Sequence, residues 1–229
     1  MRQSGASHQL VKLSQRKAER RLGGDGMSKY FDNLENRSAD ERASAVSRAL
    51  PEQIERAKGL AGYGDRLKAV DAAKVKAQAD LATLPVLRKA DLGQAQGETA
   101  PFGGLTTRAA SQFAHVFQSP GPIYEPGSDS HDWWRMGRFL HACGVGKGDI
   151  VQNCFGYHLT PAGMIFENGA RAVGAAVLPA GTGQTELQAR AAHDIGVTAY
   201  AGTPDYLKVI LDRAEEMGLA LKITKAAVG

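Results

Sequence analysis

The sequence predicts an α/β protein: a parallel sheet with helices on both faces, preceded by a helical segment and a basic tail. Three observations carry this. Between residues 150 and 228, short runs rich in Val, Ile and Ala alternate with helical patterns of about twelve residues, the signature of right-handed βαβ crossovers. From Ser38 to Ala82, apolar residues recur at spacings of three and four, as on one face of a helix. Finally, residues 1–29 hold seven Lys/Arg against two acids, whereas the other 200 hold 21 against 22, so the net charge of +4 belongs to the tail. The expected division is a basic flexible extension over 1–29, a helical segment over 30–110 and an α/β ligand-binding subdomain over 111–229, truncated at its C-terminal edge.

The tail "MRQSGASHQLVKLSQRKAERRLGGDG" has no apolar run long enough for a secretory signal, and no aromatic residue is interleaved with the charge of "RKAERR". It reads as a solvated extension, and Met27 is a candidate natural start. In the helical segment, Ser38 offers a cap and Asp40 and Glu41 an acidic first turn, with Pro51 expected to open a second helix. "LPVLRKADLGQAQ" gives an extended piece and a turn of helix, and "GETAPFGGLTT" a glycine-rich loop. In "FQSPGPIYEPG" (117–127), three prolines and two glycines exclude a helix or a central strand. The next segment, "DSHDWWRMGRFLHACG", is expected to be an amphipathic helix capped by Asp129 or Ser130 and ended by Gly144, its tryptophans packing. Then come strand 150–155, helix 161–173, strand 175–179, helix 185–195, strand 197–201, helix 204–217 and a last strand within 222–228.

Composition narrows the function. Nowhere does the chain offer the roughly eighteen uninterrupted apolar residues of a membrane span, and the neutral body offers no nucleic-acid surface, so a soluble cytoplasmic protein is expected. Cys143 and Cys154 form no CxxC and the six histidines fall into no ligand spacing, so no metal motif is present and both thiols read as reduced core residues.

In an open parallel sheet, ligands bind beyond the carboxyl ends of the strands, where backbone N–H groups and helix N-termini are exposed. That rule selects "GYHLTPAG" (156–163), "AGTGQTE" (180–186) and "GTPDY" (202–206). Thr182 and Gln184 can hydrogen-bond a ligand, Tyr157 can stack on a flat group, and the N-terminus of helix 185–195 favours an anion. Each has a plainer role beside this: Gly181 and Gly183 in a turn, Thr203 as a cap before Pro204, and Tyr157 in packing. No Ser, Cys and His arrangement matches a nucleophile motif.

These residues resemble the N-terminal subdomains of phenylacetate–CoA ligases, in the adenylate-forming (acyl-CoA synthetase-like) superfamily. "LPVLRKADL" (84–92) is similar to the family's LPFTTKxDL and "PFGGL" to its PFG element. "GVGKGDIVQNCFGYHLTPAG" resembles GxxxGDxVxNAYGYGLFTGG, "VLPAGTGQTELQ" resembles VIPMSGGQTExQ, and "YAGTPDYLKVI" resembles VTPSYML. The resemblance implies a two-step reaction: a carboxylate attacks the α-phosphate of ATP with Mg²⁺ to give acyl-AMP, and coenzyme A then displaces AMP. It places Phe155, Tyr157, Thr160, Gly202, Thr203 and Pro204 along the pocket of a small, aromatic carboxylic acid. It places Ser119, Gly121, Gly181, Thr182, Gly183 and Gln184 near the nucleotide.

Two departures follow. The family's phosphate loop, SSGTTGxP, falls on "QSPGPIYEP", where Ser119 and Gly121 remain but Pro120 and Pro122 remove two N–H donors. The family's later elements, including its ribose-binding Asp and catalytic Lys, have no counterpart in these residues. The reading is therefore an N-terminal fragment of an ATP-dependent acid–CoA ligase, itself without turnover; the alternative is a degenerate member acting as a ligand- or partner-binding module. The uncovered edge of the last strand is expected to drive a homodimer or aggregation.

Overall fold

The computed structural model describes residues 28–229. The expectations for the basic run 16–21 and for Met27 fall outside these residues. The described chain begins with helices. In α1 (Ala39–Lys58) the Ser38 hydroxyl accepts from the Glu41 N–H while the Glu41 carboxylate accepts from the Ser38 N–H, so two otherwise unpaired donors are satisfied at the helix start. Contrary to the expectation from the sequence, Pro51 does not open a second helix; α1 continues through it. The lost backbone bond is offset by packing, since Leu50 and Ile54 on either side of Pro51 are held in a cluster with Ala72 and Val75. α2 (Ala61–Leu67) follows closely. α3 (Lys89–Glu98) is a helix of ten residues where a single turn was expected.

The proline-rich stretch forms an antiparallel hairpin, β1 (His115–Ser119) with β2 (Ile123–Gly127), and its turn is Pro120–Gly121–Pro122. Proline is tolerated because a two-stranded ribbon has only edge strands, so the missing N–H of Pro126, opposite Val116, need not meet a second neighbour. The buried Gln96 amide clamps α3 to this ribbon: its Nε2 donates to the Tyr124 carbonyl and its Oε1 accepts from the Tyr124 N–H, both at 2.8 Å. Trp134 also packs on the ribbon, its ring 6.1 Å from that of Phe117.

The helix expected from Asp129 is shorter than predicted: α4 spans only Gly137–Ala142. Asp132 and Arg135 lie in the left-handed region (φ 48° and 58°), and the Asp132 carboxylate accepts from the Gly137 N–H at 2.8 Å, so the tryptophans sit in a turn. Gly144, with φ 83°, ends the segment as expected.

The body is a four-stranded sheet of β3 (Ile150–Asn153), β4 (Ala176–Pro179), β5 (Ala199–Gly202) and β6 (Lys225–Val228), in the order β4-β3-β5-β6. Every pairing is parallel, with Val151 between Val177 and Ala199, and Ala199 beside Lys225. α5 (Ala162–Ala172), α6 (Thr185–Ile195) and α7 (Pro204–Glu216) make the crossovers. Residues of period two divide the faces. Val151, Ala199, Ala201 and Ala227 pack with Leu140 of α4 and Ala170 of α5, while Tyr200 and Cys154 pack with Ile210 of α7 on the opposite side. α6 lies against α7. The expected parallel sheet with helices on both faces is thus what the chain forms.

At the N-terminal ends of the strands, one carboxylate ties three of them together. Asp149, which precedes β3, accepts from the Gly146 N–H, from the Thr198 hydroxyl beside β5, and from Lys225 of β6, each at 2.8 Å. Burial pushes its pKa upward, but Lys225 and the two further donors outweigh this and hold the carboxyl below the ordinary range.

Candidate functional site

The opposite, C-terminal edge of the sheet carries the three segments selected from the sequence. The loop after β3 is organised by Asn153, which is fully buried. Its Nδ2 donates to the Tyr157 hydroxyl and to the Gly163 carbonyl, both at 2.8 Å, and its Oδ1 accepts from the Phe155 N–H at 3.2 Å. Tyr157 lies on Gly163, where an added Cβ would come within 2.8 Å of its ring, so this glycine provides the ring's seat. Burial, then the nearby Glu167 carboxylate, pushes the Tyr157 hydroxyl well above the usual tyrosine range. The ring is thus seated on Gly163 with its hydroxyl engaged by Asn153. Phe155 stacks on Phe166 of α5 at 4.1 Å between centroids, and Phe139 meets Phe166 edge-on at 6.2 Å.

The loop after β4 turns sharply. Gly181, Gly183 and Gln184 all have positive φ (64°, 80° and 50°), and no neighbouring atom lies within 4 Å of a Cβ built on either glycine. Glycine is needed there for conformation rather than for room. The Gly181 N–H donates to the Asn153 carbonyl at 2.9 Å, which joins this loop to the Tyr157 loop through one residue. From the other side, the Tyr206 hydroxyl of α7 donates to the Gly183 carbonyl at 2.7 Å. Below, the Gln188 side chain donates from Nε2 to the carbonyls of Gly183, Gly181 and Ala180, at 2.8, 3.0 and 3.4 Å. Its Oε1 accepts from the Gln152 Nε2 at 2.9 Å and from the Cys154 thiol at 3.2 Å. The expected anion preference of the α6 N-terminus is tempered by Glu186 in its first turn, a carboxylate paired with Arg213 at 2.6 Å.

After β5, Gly202 is fixed by close approach: a Cβ would fall 2.2 Å from the Tyr200 hydroxyl, which donates to the Thr203 carbonyl at 2.8 Å. Thr203 occupies the cap position of α7 without a side-chain cap bond, and Pro204 follows at the first helical position.

Ser119 and Gly121 lie elsewhere on this edge, at the hairpin turn. The Gln118 N–H donates to the Leu159 carbonyl at 2.9 Å, drawing the turn against residues 158–160 around an open cleft of about 490 Å³. Thr160 therefore shares a cleft with Ser119 and Gly121, while Gln184 lines a separate one with the first turns of α6. The hairpin turn does not fit a polyphosphate. Pro120 and Pro122 have no N–H to give, and the Ser119 hydroxyl is committed to the Glu125 carboxylate, itself an anion beside the turn. Among the described residues, no group of three or more His, Cys, Asp or Glu side chains is placed to hold a metal ion.

Sequence reasoning passed over Asn153, Gln188 and Phe166. A signal existed for the first: "DIVQNCF" carries two amides in an otherwise apolar strand, where buried polar groups must find partners. Gln188 gave none, because the partners of its donors are main-chain carbonyls.

No protein-family model matches the chain. Curated relatives do. It is 31% identical over 169 residues to a phenylacetate–coenzyme A ligase of Aromatoleum evansii, a match that covers 71% of this chain and 37% of that enzyme. It is 29% identical over 147 residues to the phenylacetate–coenzyme A ligase of Pseudomonas putida, covering 61% and 32%. The chain thus matches about a third of the length of these relatives. Among solved structures, 2-hydroxyisobutyryl-CoA ligase in the postadenylation state with 2-HIB-AMP superposes with a TM-score of 0.71 at 22% identity, over 79% of this chain and 40% of that one. An open conformation of the same ligase, with 2-HIB-AMP and CoA, superposes equally well. At that identity the superposition establishes the fold.

Proposed function

We propose that this chain, a phenylacetate–coenzyme A ligase-like member of the adenylate-forming superfamily, is part of an ATP-dependent acid–CoA ligase and binds a small, aromatic carboxylic acid at the C-terminal edge of its sheet. The supporting observation is that loops 154–161 and 180–184 are fastened to each other through Asn153, and 180–184 to α7 through Tyr206. In this reading Phe155, Tyr157, Thr160, Gly202, Thr203 and Pro204 surround the acid, and Gly181–Gln184 face the nucleotide. ATP supplies activation of the carboxylate and coenzyme A the thiol that receives the acyl group. What these residues contribute is position: rigid aromatic walls, and a glycine loop whose shape is fixed from below.

A second reading, a binding module without turnover, is favoured by one observation, the hairpin turn in which two prolines lack an N–H and the Ser119 hydroxyl is tied to the Glu125 carboxylate. Each lost transition-state donor costs on the order of 3 kcal/mol, or about a hundredfold in rate. Isothermal titration with a panel of benzoates, phenylacetates and short hydroxy acids, beside pyrophosphate exchange with ATP and Mg²⁺, tests both readings. The purified chain is expected to bind an acid and to show exchange at background. Exchange above background overturns the inactivity of this chain; failure to bind any acid overturns the site.

A further inference from the structure

We infer that the Gln152–Gln188 amide pair is a positioning device that sets the shape of loop 180–184; the loop's importance to a ligand rests on the function proposed above. Gln188 is the only side chain among the described residues that hydrogen-bonds three main-chain carbonyls of this loop, those of Ala180, Gly181 and Gly183. Beyond it, the tertiary hydrogen bonds that hold the loop among the described residues are only the Gly181 N–H on the Asn153 carbonyl and the Tyr206 hydroxyl on the Gly183 carbonyl. Three of its residues are in left-handed conformations, and its glycines have no neighbour within van der Waals reach of a Cβ.

An amide in that place could turn over and present its oxygen to the carbonyls, which would repel them. Gln152 prevents it. From the centre of β3, fully buried, its Nε2 donates to the Gln188 Oε1, and the Cys154 thiol donates to the same oxygen. With its oxygen held by two donors, Gln188 must direct Nε2 at the loop. The arrangement is not one that stability alone favours, because the Gln152 Oε1 is buried with no partner among the described residues. An apolar pair would fill the same space without that cost, so the amides are accounted for by what they orient.

Gln188→Met keeps length and volume but removes the donors, and Gln152→Leu removes only the orienting group. Amide hydrogen exchange of the full chain should rise about tenfold or more in peptides spanning 180–186 of Gln188→Met, and less in Gln152→Leu, with the α7 peptides unchanged. The melting temperature should stay within a few degrees of wild type. Unchanged exchange at 180–186, or a rise shared equally by α7, overturns the inference. Should Gln188→Met fail to fold, Gln152→Leu decides it by the same comparison. Titration of these variants with the wild type's best-binding acid adds a second readout, expected to weaken about tenfold. If the wild type binds no acid, the proposed function fails while the exchange pattern still decides the role of the amide pair.

Discussion

Asp149 accepts from Gly146, Thr198 and Lys225 at once, so removing its charge leaves the Lys225 ammonium, two-thirds buried, without an anion. Asp149→Asn should cost about 2–3 kcal/mol near neutral pH. Because the folded carboxyl is held below its ordinary range, its stabilisation is present above the unfolded pKa of about 3.9 and is lost as pH falls through the folded value. Melting curves from pH 7 to 3 should show the gap between wild type and variant closing in acid; a constant gap would mean that the carboxylate is not the source. Thiol chemistry gives a second residue-level test. Burial pushes Cys154 up to about 12 and raises half-buried Cys143 less, so iodoacetamide at pH 8 should label Cys143 first and Cys154 only after unfolding. Labelling of Cys154 in the native chain would contradict its burial. At this scale the sequence was legible where a residue acts through its own conformation, as at Gly181 and Gly183. It was opaque where a residue acts on a distant main chain, as Gln188 does, because no periodicity records that.

The elements were easiest to read where one period repeats. Helix 185–195 matches its expected bounds, and the strands differ from theirs by a few residues at the ends, because short apolar runs between helical patterns admit one arrangement. The errors fell where tertiary contacts override local preference. Pro51 sits inside α1 because Leu50 and Ile54 are anchored on either side, and α4 begins late because Asp132 captures the Gly137 N–H. The Pro51 ring therefore removes a helical bond that the surrounding packing would gladly accommodate. Pro51→Ala should raise stability by about 1–2 kcal/mol, the helical gain less the extra entropy of the unfolded chain. A lower melting temperature would show that the proline shapes a bend the cluster needs.

In the whole molecule, the sheet order leaves the outer edges of β4 and β6 without a partner strand among the described residues, and Val228 on β6 is 43% exposed. We propose that two copies associate along β6, through the unpaired N–H and C=O row. Light scattering should report a dimer or larger species that Val228→Lys shifts toward a monomer; a wild-type monomer of 24.3 kDa with a cooperative melt would refute it. No described helix is long and apolar enough to cross a membrane. The packing of Trp134 on Phe117 has a consequence of another kind. That indole touches the strand that leads into the hairpin turn, while Trp133, the second indole of the chain, is 38% exposed. With Trp133→Phe, the protein becomes a single-tryptophan molecule whose indole emission reports on the packing at the base of the hairpin, beside Gly127, so any detachment of the hairpin can be followed by light alone, without a label.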